Sequence, residues 1–291
     1  MIAQPLAEGA RGERDLRQFT ASDGARIAFR DNGSGRPLVL LHGLMAHSGF
    51  FAAQDELSRE FRLVSIDLRG HGRSDTAAPT VDQIAEDVEA LLAFIGVDDA
   101  IGIGWSLGAS VLWQMLAGPS ASRFAGAVIV DMTPRVLNVE GWELGLSPEL
   151  CEARRIAIRD DFAAFALAAG QAIFAQPVAE HLQDQADWAG AEFARNDAGA
   201  VGRLWESLVE KDFRASLGKI RQPTLVVHGA HSQLYGPGTA DYLVSALRNA
   251  QAVQFDRSGH APHIEQPELF NRTIRDFAAS LPRVRQSETT V

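Results

Sequence analysis

The stretch Gly104-Trp105-Ser106-Leu107-Gly108 lies where an apolar run, residues 100–104, gives way to a helical pattern. A serine at the tip of a strand-to-helix turn is held in a strained backbone conformation with its hydroxyl exposed, and glycines on either side let the turn close. The helix that follows aims its first backbone N–H groups at negative charge developing beside that hydroxyl. As a pentapeptide, G-x-S-x-G recurs by chance. Its place between a strand and a helix makes Ser106 a candidate nucleophile.

Outward from the serine, strands and helices alternate. Apolar runs at 26–30, 38–41 and 62–66 read as strands, with Ser22-Asp23-Gly24 and Asn32-Gly33-Ser34-Gly35 as turns. Val81, Ile84, Val88, Leu91, Leu92 and Ile95 recur at helical spacing, and Gly96 follows as a stop. Leu107, Val111 and Met115 give the helix after the serine an apolar face that ends at Gly118-Pro119. Runs at 125–130, 223–227 and 252–255 complete the strands, and residues 242–247 and 269–281 read as helices. This alternation implies βαβ units and a mostly parallel sheet.

The rhythm breaks once, between Pro134 and Ile220, where the patterns at 153–169, 172–174, 189–193 and 201–213 are helical without a strand between them. Such an insertion should emerge at the carboxyl ends of a parallel sheet, where ligands bind. Trp142, Phe162, Phe165, Phe174, Trp188, Phe193 and Trp205 stud it, some as packing and some as the apolar underside of a lid.

Composition narrows the function. The 291 residues are 46% hydrophobic and 22% charged, which is ordinary for a globular chain. A formal charge of −10 speaks against nucleic acid, which needs a basic face, and against anionic substrates and membranes, although a local pocket can override a global sum. No apolar run reaches the roughly 18 residues of a membrane span, residues 1–17 show no secretory leader, and a cytoplasmic location is expected. Residues 285–291 read as a frayed end. The single cysteine, Cys151, rules out an internal disulfide and reads as a packed thiol. The eight histidines form no His-Glu-x-x-His helix, so no metal is expected. Gly102-Ile103-Gly104 begins like a dinucleotide fingerprint, but Leu107 stands where the third glycine belongs, so no cofactor is expected either.

Three further segments accompany the serine turn: Leu40-Leu41-His42-Gly43-Leu44 after an early strand, Asp67-Leu68-Arg69-Gly70-His71-Gly72-Arg73-Ser74-Asp75 after the next, and Ser258-Gly259-His260-Ala261-Pro262-His263-Ile264-Glu265-Gln266-Pro267-Glu268 near the end. With these four landmarks in order, the chain resembles the α/β-hydrolase superfamily over residues 19–281. The resemblance implies an α/β fold: a mostly parallel eight-stranded sheet flanked by helices. Residues 1–134 and 220–291 would form the core domain, with residues 135–219 inserted as a helical cap.

A serine hydroxyl needs a base within hydrogen-bond reach. His260 is that candidate, with His263 as a packing or loop-bracing alternative and His228 and His231 as loop residues. Most members of the superfamily carry their acid after the penultimate strand. Here His228-Gly229-Ala230-His231-Ser232-Gln233-Leu234-Tyr235 has no carboxylate. Haloalkane dehalogenases and some lipases place the acid one strand earlier, and Asp131 ends that strand; Asp241, Asp256 or a Ser–His dyad are the alternatives. The oxyanion hole needs two N–H groups. Leu107 supplies one by following the serine, and the resemblance assigns the other to Leu44, with Met45 as a substitute. His42 reads as a structural hydrogen-bonding group, and Asp67, Arg69, Ser74 and Asp75 as a braced loop. Trp105, beside the serine, and Met45 are the candidate substrate-binding residues, Trp105 serving the pocket or the packing.

The expected activity is that of a serine hydrolase cleaving a carboxylic ester, lactone or thioester through a Ser106–His260–Asp131 triad and an acyl-enzyme. Its expected partner is a small, neutral, partly apolar substrate, and the oligomeric state is left open. Carbon–carbon bond hydrolysis by the same triad, or a non-catalytic small-molecule receptor on the same fold, are the competing readings. An aspartate in place of the serine would have pointed to dehalogenase or epoxide-hydrolase chemistry instead.

Overall fold

The apolar runs of the sequence lie side by side as one eight-stranded sheet in a computed structural model that describes residues 16–282. The strands are β1 (Leu16–Thr20), β2 (Arg26–Gly33), β3 (Pro37–Leu41), β4 (Arg62–Ile66), β5 (Ala100–Trp105), β6 (Phe124–Val130), β7 (Thr224–Gly229) and β8 (Ala250–Phe255). Their order is β1-β2-β4-β3-β5-β6-β7-β8, with β2 antiparallel to both β1 and β4 and every other pair parallel. All six residues of β5, in the middle, are buried, which explains why that run is apolar throughout and does not alternate.

Helices pack against the sheet by the faces their periodicity marks. α1 (Val81–Phe94) starts at Thr80, whose hydroxyl accepts from the Gln83 N–H at 3.1 Å, and buries Val81, Ile84, Val88, Leu91 and Leu92. It lies against α2 (Leu107–Leu116), which in turn packs on β5 and β3.

Between β6 and β7 the chain forms α3 (Pro148–Asp160), α4 (Phe162–Ala172), α5 (Gln183–Phe193), α6 (Ala198–Glu210) and the short α7 (Arg214–Leu217). The pattern at 153–169, read as one helix, is two. Asp161 breaks it with φ −148° and ψ 68°, and its carboxylate caps α4 by accepting from the Ala164 N–H at 3.2 Å. The short helix expected at 172–174 is the last residue of α4 and the turn after it, and the one expected at 201–213 stops at Glu210. After β7, α8 (Pro237–Ala246), α9 (Pro262–Glu265) and α10 (Pro267–Ser280) are the remaining helices of the described residues, α10 burying Phe270, Ile274 and Phe277. β1 and the 3₁₀ segment Ser48–Arg59 have no counterpart in the sequence reading. The expected frayed end at 285–291 and the leader reading at residues 1–15 lie outside the described residues.

The serine turn sits where β5 passes into α2. Ser106 has φ 53° and ψ −116°, a left-handed conformation costly for any residue but glycine. The turn closes because its glycines carry no side chain. A Cβ on Gly108 would lie 2.0 Å from the Leu41 carbonyl oxygen, and one on Gly104 2.5 Å from that of Gly108. Both obstacles are backbone and cannot swing aside. Gly108→Ala is therefore expected to destabilise the fold by about 1–3 kcal/mol, read as a lowered urea midpoint with an unchanged denaturant slope.

Candidate active site

Three strand ends bring the candidate residues together. β5 delivers Ser106, and its neighbour β6, in register through Trp105 and Val130, delivers Asp131. The ladder runs one residue past each strand: the Ser106 N–H donates to Val130 O at 3.1 Å and the Asp131 N–H to Val227 O at 2.8 Å. His260 comes from the loop after β8, two strands from β6, so that loop must cross the end of β7. It does so at Gly229, where a Cβ would stand 1.9 Å from the Gly259 carbonyl oxygen.

The crossing loop is held from two sides. The Trp105 indole N–H donates to the His260 carbonyl at 2.8 Å, and Glu265 accepts from the Gly259 N–H at 2.7 Å. His260 Nδ1 thereby meets Asp131 Oδ2 at 2.6 Å, with only 3% and 1% of the two side chains exposed. Asp131 itself has φ +44°. Its Oδ2 also accepts from the Ser232 hydroxyl at 2.7 Å. Ser232 lies in the segment after β7 where the sequence shows no carboxylate. A hydroxyl stands there and braces the aspartate of the neighbouring strand.

The alternative residues lie elsewhere. Asp241 on α8 and Asp256 after β8 are exposed, and Asp256 accepts from the Gln254 amide at 2.8 Å. His263 is buried among Phe51, Trp105 and Phe270, with ring centroids 4.9, 4.7 and 5.9 Å away, and neither of its nitrogens has a partner among the described residues. Burial pushes its pKa down to about 3, so it packs as a neutral ring. His231 is exposed, and His228 meets Gln254 at 3.3 Å.

His42 is structural. Its Nδ1 bonds Gly43 O at 2.8 Å and its Nε2 accepts from the Leu68 N–H at 2.9 Å, tying the loop after β3 to the loop after β4. The latter loop is braced as its polar density suggests. Asp67 accepts from the Ser48 and Arg73 N–H groups, and the fully buried Arg69 side chain bonds both Asp87 and Asp23.

Ser106 and His260 face one cavity of about 240 Å³, which Gly43, Leu44, Met45 and Trp105 also line. Trp105 borders this space and also holds the histidine loop. A Cβ on Gly43 would lie 3.3 Å from Ser106 Cβ, so the backbone leading into Leu44 runs against the serine. No acceptor among the described residues takes the Leu44 or the Leu107 N–H. Met45 has φ +67°, and its carbonyl accepts from the Asn196 amide at 2.7 Å.

The opposite wall is apolar and helical, with Phe165 and Ala169 on α4 and Trp205 and Leu208 on α6. Arg154 on α3 and Tyr235 complete it. Neither was singled out in the sequence, nor were Ser232 and Glu265. Glu265 stands in the quoted histidine segment, five residues after His260, and Ser232 and Tyr235 in the carboxylate-free segment 228–235, but none of them was given a role there. Among the described residues no group of three or more His, Cys, Asp or Glu side chains is arranged to hold a metal ion, and no helix is long and apolar enough to cross a membrane.

The model of the alpha/beta hydrolase family matches residues 38–273, and the chain belongs to that family. Among curated proteins, a pimeloyl-[acyl-carrier protein] methyl ester esterase of Nitrosomonas europaea is 30% identical over 257 residues, covering 84% of this chain and 97% of its own. A non-heme haloperoxidase of Rhodococcus erythropolis is 28% identical over 270 residues, 90% of this chain and 98% of its own. Among solved structures, an esterase from Exiguobacterium antarcticum superposes with a TM-score of 0.85 at 24% identity over 90% of this chain and 99% of its own, a likeness of fold.

The buried titratable groups set the response to acid. Burial pushes His263 to about 3 and His71 to about 4, and drives His42 well below its ordinary value. Unfolded, these rings take up protons near pH 6.5 while the folded rings refuse them, so their contribution to stability is lost as pH falls below about 6.5. Glu265 runs the other way. Burial raises it to about 7, so its contribution is present below its ordinary pKa and lost as pH rises toward 7. Three histidines outweigh one glutamate, and net stability is expected to fall from pH 6.5 toward 4.5. His263→Phe should flatten that fall by about 1.4 kcal/mol per pH unit, the weight of one proton, measured as urea midpoints across the range.

Proposed function

We propose that this α/β-hydrolase-fold enzyme cleaves a carboxylic ester, lactone or thioester with Ser106 as nucleophile, His260 as base and Asp131 as acid. The reading is carried by the 2.6 Å contact between His260 Nδ1 and Asp131 Oδ2 in a ring that shares its cavity with Ser106. With Nδ1 committed to the aspartate, Nε2 is the nitrogen left to take the serine proton. The Ser106 oxygen then attacks the substrate carbonyl, and the negative charge moves to the carbonyl oxygen, which the Leu44 and Leu107 N–H groups receive. The carbon–oxygen or carbon–sulfur bond breaks, and His260 hands its proton to the leaving alcohol or thiol. Water, deprotonated by His260, attacks the acyl-enzyme and releases the acid, returning the proton to Ser106. Asp131 fixes the imidazole tautomer and stabilises the imidazolium formed in each half.

In this reading residues 135–219 act as a cap over a core of residues 1–134 and 220–291. The apolar side chains of α4 and α6 keep water from the acyl-enzyme and receive the apolar part of a small substrate, and Trp105 and Met45 border the reacting carbonyl. The esterase named among the relatives fits the ester class. The carbon–carbon and receptor readings have no observation of their own in their favour.

A serine-directed fluorophosphonate is expected to add one label at Ser106, located by peptide mass spectrometry, and to leave Ser106→Ala unlabelled; failure to label folded protein would sink the reading. Asp131→Asn is expected to lower kcat on an activated ester by about 10⁴-fold while the protein stays folded. Near-normal turnover in that variant would remove Asp131 from the triad.

A further inference from the structure

The cavity in front of Ser106 is apolar over most of its wall, but two polar side chains interrupt it far from the elbow in sequence. Arg154, half-buried on α3, lines it, and Tyr235, 7% exposed, enters from the loop after β7. The Arg154 guanidinium carbon lies 5.6 Å from the centre of the Trp205 ring. Trp205 is itself fixed, because its indole N–H donates to the Cys151 carbonyl at 3.2 Å, one turn before Arg154 on the same helix. The cation therefore rests on an anchored aromatic face.

Arg154 has no counter-ion among the described residues. Among the described residues no carboxylate pairs with it and no acceptor takes its N–H groups, and the Tyr235 hydroxyl is equally unspent. Its helix neighbours differ. Arg155 pairs with Glu152 at 2.6 Å and Arg159 with Asp160 at 2.6 Å, both on the outer surface. Burial lowers the Arg154 pKa and raises that of Tyr235, so the cavity wall holds a partly desolvated cation and a neutral phenol that can donate. A half-buried guanidinium with no protein partner is free to take one, and its planar fork of five donors matches a carboxylate in two parallel bonds.

We infer that the substrate carries a carboxylate as well as the scissile ester, and that Arg154 and Tyr235 bind this carboxylate on the helical wall while the ester carbonyl lies at Ser106. The class is that of monoesters of dicarboxylic acids and lactones bearing a free acid. This inference rests on the ester-hydrolase reading and replaces the neutral substrate suggested by the net charge of −10, since the field inside a low-dielectric cavity is set by its own charges. At about 240 Å³ the space keeps such a substrate small.

The test compares monomethyl adipate with a neutral isostere in which an isopropyl group replaces the carboxylate. Wild type is expected to favour the anionic ester in kcat/KM. Arg154→Met should reduce the anionic-to-neutral ratio about 10- to 100-fold, the worth of a charged hydrogen-bonded contact. Tyr235→Phe should reduce it less, and Arg154→Lys should restore part of it. Calorimetric binding of both esters to Ser106→Ala, with and without Arg154→Met, reads the same preference without turnover. A preference absent from wild type, or a ratio unmoved by Arg154→Met and Tyr235→Phe, overturns the inference. If Ser106→Ala binds the anionic ester preferentially but wild type hydrolyses neither, the hydrolase reading fails and the carboxylate site stands.

Discussion

A buried hydrogen bond between an imidazole and a carboxylate 129 positions apart in the chain is the constraint that organises this molecule. With their side chains 3% and 1% exposed, neither His260 nor Asp131 has water to fall back on, so each needs the other. The histidine loop must also travel from β8 across β7 to reach β6. That path is open only because Gly229 has no side chain where the loop passes, and it is kept in place by the Trp105 indole and the Glu265 carboxylate. Ser232 fills the position the crossing leaves beside Asp131 and satisfies the oxygen that already faces the imidazole. The missing carboxylate after β7 and the aspartate after β6 are thus two halves of one arrangement.

What could be read from the sequence was what local chemistry dictates. The serine turn declares itself through glycines that backbone contacts at Leu41 and Gly108 forbid to be anything else. The central strands declare themselves because burial on both faces removes alternation. Other features are set by partners far along the chain and leave little local trace. β1, Leu-Arg-Gln-Phe-Thr, is a half-exposed edge strand that, among the described residues, pairs with β2 alone. The break at Asp161 interrupts an apolar helical pattern that continues on both sides, and only the capping bond to Ala164 marks it. Arg154 sits in a helix with Arg155 and Arg159, and nothing in their spacing says which one faces a cavity and which ones meet carboxylates outside. Asp131 was legible as a carboxylate at a strand end, where it meets His260; its brace, Ser232, was not, since a serine in a loop is ordinary in sequence.

Two residues that are neither glycine nor asparagine, Ser106 and Asp131, hold positive φ at the ends of adjacent strands. Backbone strain at one strand end is expected of a nucleophile turn. Its repetition one strand over has a geometric cause. Parallel strands in register deliver their terminal residues side by side, and a normal extended conformation would carry each side chain onward along the sheet. The turn to positive φ redirects both side chains at the point where the strands stop. Main-chain bonds to Val130 and Val227 hold the two residues in that conformation, so the sheet itself supplies the energy that keeps them strained.

The helical segment is joined to the site at two points that are also the site's own supports. Glu265 accepts from Gly259 in the histidine loop and from Ala175, just past α4, each at 2.7 Å. Asn196, after α5, donates to the carbonyl of Met45, next to the N–H assigned to the oxyanion. His47 in the same loop meets Glu192 of α5 at 3.3 Å. A displacement of α4 or α5 therefore pulls on the His260 loop through Glu265 and on the loop at Leu44 through Met45. The helical wall of the cavity and the loops that carry Ser106's neighbours and His260 share hydrogen bonds, which couples occupancy of the apolar cavity to the alignment of the groups at its floor.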